Sequence, residues 1–256
     1  MKHDLLNAKT LCRIDAEKDA PEDDEPNEGD LKKLQGYAGE LNWLATRTRP
    51  DIAYGVSLLS SKLKKSAAWC FQLAKKILRY LAGTRNCGLF FSIESSVEVQ
   101  RVRQDSVASG LALTCYSDAG FCGVGVRSQT GILVTLAGSP VLWRSARQTT
   151  AATSTGEAEL SAAALAAQIT IGLRFLLEEM VGWRPELHFL LDNKSAIVIA
   201  TEGGSWRSRY YAVRGMFLGE LVERNEVTLQ YVETKLMLAD ALTKLAETSV
   251  LEHLRA

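Results

Sequence analysis

The stretch Leu187-His-Phe-Leu-Leu191-Asp192-Asn193 sets the reading of the chain. Five residues of mostly apolar character, bounded by Pro185-Glu186 before and Asp-Asn after, predict a short buried strand that ends on a carboxylate. Lys194 to about Thr201 then reads as a helix, and either Asp192 or Asn193 suits its N-cap. An acid placed where a strand gives way to a helix is a candidate for chemistry as well as for capping.

Working outward, three more acids sit in short motifs: Cys115-Tyr-Ser-Asp118, Ser154-Thr-Gly-Glu157-Ala-Glu159-Leu and Leu238-Ala-Asp240-Ala-Leu-Thr-Lys244. Three strand-like runs, 113–119, 121–126 and 131–137, suggest an antiparallel meander, and Pro140-Val-Leu-Trp143 can add a fourth short strand. A long helix is expected over about 155–180, a helix over about 208–223, a last strand over 227–232, and a terminal helix carrying Asp240. Strands, helix, strand, helices, strand and helix form the element order of an α/β, ribonuclease H-like fold: a mixed five-stranded sheet with flanking helices.

Four carboxylates brought together repel one another and call for a divalent cation. Asp118 on the first strand, Glu159 on the long helix, Asp192 at a strand end and Asp240 on the last helix are therefore the expected catalytic and metal-binding residues. Two Mg²⁺ ions are the expected cofactor, with Mn²⁺ an alternative, because hard oxygen ligands suit both. Glu157 and Glu159 do not share a helix face. Ser154 and Glu157 fit a capping box, which leaves Glu159 for metal.

No histidine lies between Phe189 and Glu252, so that stretch offers no imidazole proton shuttle, and His188 reads as packed within its strand. Gly120-Phe-Cys-Gly123-Val-Gly125 resembles a nucleotide-binding glycine pattern but runs from strand to strand, so tight-hairpin glycines explain it better. Trp206, Arg207, Arg209, Tyr210 and Tyr211 combine cations with aromatic faces suited to nucleic acid, and Asn193 adjoins the acids. Trp143 fits core packing equally well.

The 256 residues carry 30 basic and 30 acidic side chains, but unevenly. Residues 1–30 hold ten acids and four bases, 31–103 thirteen bases and four acids, and 104–256 thirteen bases and sixteen acids. The acidic, Pro-interrupted segment 1–30 reads as flexible. Helices are expected from Leu31 to about Leu44, with Trp43 and Leu44 extending the apolar face, then over 52–63 and 69–81. A strand is expected at 89–93 and a linker at 94–110. A basic middle segment suits a polyanion as well as a solvated helix face. Five scattered cysteines without a Cys-x-x-Cys pair argue for a reducing compartment and against zinc or disulfides. The most apolar stretch, 161–177, contains Gln168, Thr170 and Arg174 and reads as a buried helix, so no membrane association is expected.

Two groups of motifs carry a family resemblance. Leu44-Ala-Thr-Arg-Thr-Arg-Pro-Asp-Ile-Ala-Tyr54, Ala74-Lys-Lys-Ile-Leu-Arg-Tyr-Leu-Ala-Gly-Thr84 and Gly88-Leu89 resemble the segment after the reverse-transcriptase palm of Copia-type (Ty1/copia) retrotransposon Pol polyproteins. Tyr116-Ser-Asp118-Ala, Thr130-Gly131, Trp143-Arg-Ser, Glu157-Ala-Glu159, Asp192-Asn-Lys-Ser-Ala-Ile197, Tyr231-Val232 and Leu238–Lys244 resemble the ribonuclease H domain of that family in order and spacing. The resemblance covers about residues 30–245. It implies reverse-transcriptase C-terminal helices over 31–93, a ribonuclease H domain over 111–245 and a tail over 246–256. It further implies cleavage of the RNA strand of RNA/DNA hybrids by Asp118, Glu159, Asp192 and Asp240, with the missing reverse-transcriptase part as a partner. The implied location is cytoplasm, nucleus or virus-like particles. The chain departs from the family at Gly120, where a second acid is usual, at Gly123-Val124, at Arg209–Phe217 in place of a His-rich stretch, and after Lys244, where no Pro follows. The polymerase palm with its aspartate pair is absent, so DNA synthesis is not expected. A diverged relic that at most binds nucleic acid is the competing reading. An integrase- or resolvase-type nuclease fits the acid order less well.

Overall fold

The computed structural model describes residues 25–91, 112–122, 127–182, 184–202 and 212–244. The chain divides into two compact units, Met1–Leu89 with Lys244–Ala256, and Phe90–Thr243.

Among its described residues the first unit has the α-helices α1 (Glu28–Arg47), α2 (Ala53–Lys62) and α3 (Ala67–Gly83). Residues 28–30, expected within the flexible segment, form the first turn of α1. Asn27 caps α1 by accepting a hydrogen bond from the Asp30 backbone N–H, and Glu28 and Asp30 in the first turn complement the helix dipole. Leu34, Leu41, Ile52, Leu59, Leu73 and Ile77 form the interior. Trp43 does not extend the apolar face as expected: it is 62% exposed, whereas the α1 residues Leu34, Ala38, Leu41 and Ala45 are buried. Leu89, Phe90 and Phe91 are not in a strand. Their β-forming side chains count only on a half-buried pleated surface, and both phenylalanines face solvent. Ser92 and Ile93 lie outside the described residues.

A buried polar network crosses this unit. Arg49 donates to Asp51 through Nε at 2.9 Å and Nη2 at 2.7 Å, and the Tyr80 hydroxyl donates to the same carboxylate at 2.6 Å. Arg49 also donates to the Thr84 hydroxyl at 2.6 Å and lies over the Tyr80 ring. The two motif stretches 44–54 and 74–84 thus meet through buried, paired groups.

The second unit is built on a mixed sheet of β1 (Leu113–Gly120), β2 (Gln129–Leu136), β3 (Ser139–Arg147), β4 (Leu187–Leu191) and β5 (Thr228–Tyr231), in the order β3-β2-β1-β4-β5. β1, β2 and β3 are antiparallel, whereas β4 and β5 run parallel to β1. Its described residues also form helices α4 (Thr155–Val181), α5 (Lys194–Glu202) and α6 (Ala212–Glu223). The meander differs from expectation by one strand. Phe121 and Cys122 lie outside any strand, and 123–126 lie outside the described residues. The second strand is the run expected as third, and the third is the stretch around Pro140–Trp143, extended to Arg147. Ala137 and Gly138, at φ of 51° and 85°, make the two-residue turn between β2 and β3. β3 is an edge strand whose outer part carries arginines, which suits an edge and hides its alternation.

α4 lies on the sheet through small residues, Ala163, Ala166 and Ala167, against Cys115, Ile132, Val134 and Phe189. By length and composition it could cross a membrane, but it is a core helix here. Its buried Arg174 is paired, donating to the Glu226 carbonyl at 2.8 Å and to the Glu226 carboxylate. In place of the expected terminal helix, Thr234–Leu236 and Leu238–Leu242 form short 3₁₀ turns. The backbone of the second turn itself rests on the sheet, nearer than an α-helix jacketed by side chains would allow.

Candidate metal centre

Asp118 projects from β1, the central strand, beside the end of β4. The parallel register pairs Ser117 with Leu191, so the next residues, Asp118 within β1 and Asp192 just past the end of β4, fall side by side. Asp240 comes from the 3₁₀ turn packed over β1 and β2. Carboxylate oxygens of Asp118, Asp192 and Asp240 all lie within 4.8 Å of one another. Asp118 and Asp240 are buried and Asp192 is half-buried.

Glu159 joins them from the second turn of α4. That helix end sits close to β1 because Ala158 and Ala162 meet Ala119 in a small apolar cluster. Burial is the main reason the Glu159 carboxyl is pushed up to about 9. The negative charges of Asp118 and Asp192 add to it, and Asp240 contributes less, while a backbone hydrogen bond from Ala119 opposes the shift. Three acids thus lie together, and Glu159 is near enough to feel their charge.

Glu157 points elsewhere. Its backbone N–H donates to Ser154 Oγ at 3.2 Å, as expected of a capping box. Its carboxylate reaches one residue further back than that motif requires, accepting from the Thr153 N–H and hydroxyl at 2.8 Å each. Asn193 is the N-cap of α5, its Oδ1 accepting from the Ala196 N–H at 3.1 Å. The cap thus falls to Asn193 and leaves Asp192 to the cluster. Arg207, Arg209 and Tyr210 lie outside the described residues, as do Trp206 and Tyr211. Trp143 is half-buried on β3 and His188 is half-buried on β4.

Several further residues surround the acids. Thr243 donates from Oγ1 to Asp118 Oδ2, and Thr234 donates to Asp192 Oδ2 at 3.1 Å. Ser145 on β3 donates to the Leu242 carbonyl at 2.5 Å and accepts from Gln129 Nε2 at 2.8 Å. Gly120 and Gly131 open the space for the turn. A Cβ on Gly131 would stand 2.7 Å from both the Ala239 carbonyl and Thr243 Cγ2, and one on Gly120 would stand 2.9 Å from the Thr243 carbonyl. Gly120 is thus a strand residue with a close neighbour, not a hairpin glycine, while Gly123 and Gly125 lie outside the described residues. Only the recurrence of small or hydroxylated residues near the acids could have pointed to these contacts.

The strand order, with an acid on the central strand, one at the end of its parallel neighbour, one on the crossing helix and one on the final turn, defines a ribonuclease H-type domain. The homologues of the chain are Copia-type retrotransposon Pol polyproteins. It is 30% identical over 229 residues to the retrovirus-related Pol polyprotein from transposon TNT 1-94 of Nicotiana tabacum, covering 88% of this chain and 16% of that one. It is also 30% identical over 219 residues to that from transposon RE1 of Arabidopsis thaliana, covering 84% of this chain and 14% of the relative. The chain thus spans about a sixth of the length of these relatives. No protein-family model matches it. Among solved structures, LC11-RNase H1, isolated from compost, aligns at a TM-score of 0.42 with 16% identity, over 51% of this chain and 91% of that one.

Proposed function

We propose that the chain is a metal-dependent endoribonuclease of ribonuclease H type that hydrolyses the RNA strand of RNA/DNA hybrids. The observation that carries this reading is the convergence of Asp118, Asp192 and Asp240 within 4.8 Å, with Glu159 feeling the charge of all three. Such a set consists only of hard oxygen donors, which fits Mg²⁺ or Mn²⁺ and not zinc or copper. Asp118, Asp192 and Asp240, with Glu159 beside them, would hold the ions. When bound, paired ions of this kind activate a water and stabilise the leaving oxygen of a scissile phosphate.

The chain's own groups prepare that site. The Ala119 N–H aims the Glu159 carboxyl, and Thr234 orients the Asp192 carboxylate. Asn193 starts α5 and anchors the backbone at the β4 end. We assign 31–93 to the end of a reverse transcriptase, 94–110 to a linker, 111–245 to the nuclease and 246–256 to a tail. A reverse transcriptase would then be the partner that holds the hybrid, with Arg207, Arg209 and Tyr210 as further contacts to nucleic acid. Action inside the cell, in cytoplasm, nucleus or virus-like particles, follows from that context.

Incubation of the purified protein with an end-labelled RNA/DNA hybrid and Mg²⁺ or Mn²⁺ tests the proposal. Cleavage of the RNA strand by wild type but not by Asp192→Asn is expected. Intact substrate with wild type across metal concentrations contradicts catalysis and leaves a non-catalytic relic.

A further inference from the structure

Thr243 links the buried Asp118 carboxylate to the backbone of the turn that carries Asp240. Its hydroxyl donates to Asp118 Oδ2, and the same oxygen lies 3.3 Å from the Asp240 carbonyl. Its own backbone N–H donates to that carbonyl at 3.2 Å, closing the turn that carries Asp240. Its methyl group lies over Gly131, the residue paired with Asp118 across the β1–β2 ladder. Thr243 is buried. The turn is held from the far side by the Ser145 bond to the Leu242 carbonyl. The carboxylate of Asp118 and the backbone beneath Asp240 are therefore fixed by one hydroxyl, on a turn clamped at the next residue.

We infer that Thr243 is a positioning residue of the metal centre: its hydroxyl engages Oδ2 of Asp118, fixing that carboxylate's orientation, and holds it to the turn that carries Asp240. This rests on the metal-centre reading above. Hydrogen bonds behind a ligating carboxylate fix its orientation, and their loss typically weakens metal binding about 10- to 100-fold. The methyl group alone packs against Gly131. A valine keeps that packing and loses the donor, whereas a serine keeps the donor and loses the packing.

The experiment is Mn²⁺ titration by calorimetry of wild type, Thr243→Val, Thr243→Ser and Asp118→Asn, with far-UV circular dichroism melts of each metal-free protein as the check on folding. Thr243→Val should bind Mn²⁺ about 10- to 100-fold more weakly than wild type, and Thr243→Ser within about threefold of it. Wild-type affinity in Thr243→Val overturns the inference and leaves the metal centre standing. So does equal weakening in valine and serine variants that melt like wild type, because the methyl group would then be what matters. Wild type that binds no Mn²⁺, or binds it no better than Asp118→Asn, overturns the metal-centre reading itself and the inference with it.

Discussion

Asp118 and Gly131 face each other across the β1–β2 ladder, and the missing side chain of Gly131 is what lets the fourth acid reach the first. The Ala239 carbonyl, one residue before Asp240, would stand 2.7 Å from a Cβ at position 131. Backbone cannot swing aside as a flexible side-chain tip can. Gly131→Ala should therefore lift the 238–242 turn, cost about 1–3 kcal/mol of stability, and weaken divalent-metal binding. Thermal melts with and without Mn²⁺ check both effects. An alanine variant with wild-type melting and metal response would show that the turn tolerates displacement.

Glu159 makes stability depend on pH. With its carboxyl held at about 9 in the folded protein and near the ordinary carboxylate value when unfolded, the folded state binds the extra proton between those limits. The contribution is fully present in acid, falls as pH rises above the unfolded value, and is lost by about pH 9. The metal-free protein should melt at lower temperature at pH 8.5 than at pH 6, and Glu159→Gln should flatten that slope. A divalent ion, which needs the ionised form, should stabilise more at pH 8.5 than at pH 6.

Glu157 and Glu159 are separable although one residue apart. Glu157→Ala removes the acceptor for Thr153 at the start of α4 and should cost about 1 kcal/mol, leaving Mn²⁺ affinity near that of wild type. Glu159→Ala should abolish or greatly weaken Mn²⁺ binding. Parallel calorimetric titrations of the two variants distinguish the roles.

In the helical unit, Asp51→Ala strands the buried Arg49 guanidinium and the Tyr80 hydroxyl together. Removing one member of a buried pair costs about 3–5 kcal/mol, so urea denaturation should show the helical unit unfolding at distinctly lower denaturant. A midpoint equal to wild type would mean that solvent replaces the carboxylate without penalty.

The β4 strand and its trailing acid were legible because an apolar run ending in Asp-Asn has few other readings, and Ser154 with Glu157 announced the start of α4 in the same way. The first hairpin joins β1 directly to β2, which sequence hides because Phe121–Val126 carries strand-forming residues, whereas β3, an edge strand with outward arginines, shows little alternation. Sequence also could not show that Asp240 rides on a 3₁₀ turn, since that depends on a gap opened by Gly131, more than 100 residues earlier. Thr243 escaped notice for a related reason: a hydroxyl near an acid in sequence says nothing about which distant acid it meets.

The most direct test of the central claim is anomalous diffraction from crystals grown or soaked with Mn²⁺ at pH 8. Manganese should be bound among the carboxylates of Asp118, Glu159, Asp192 and Asp240, and should disappear in Asp118→Asn. Ordered carboxylates with no manganese among them at millimolar metal would contradict it.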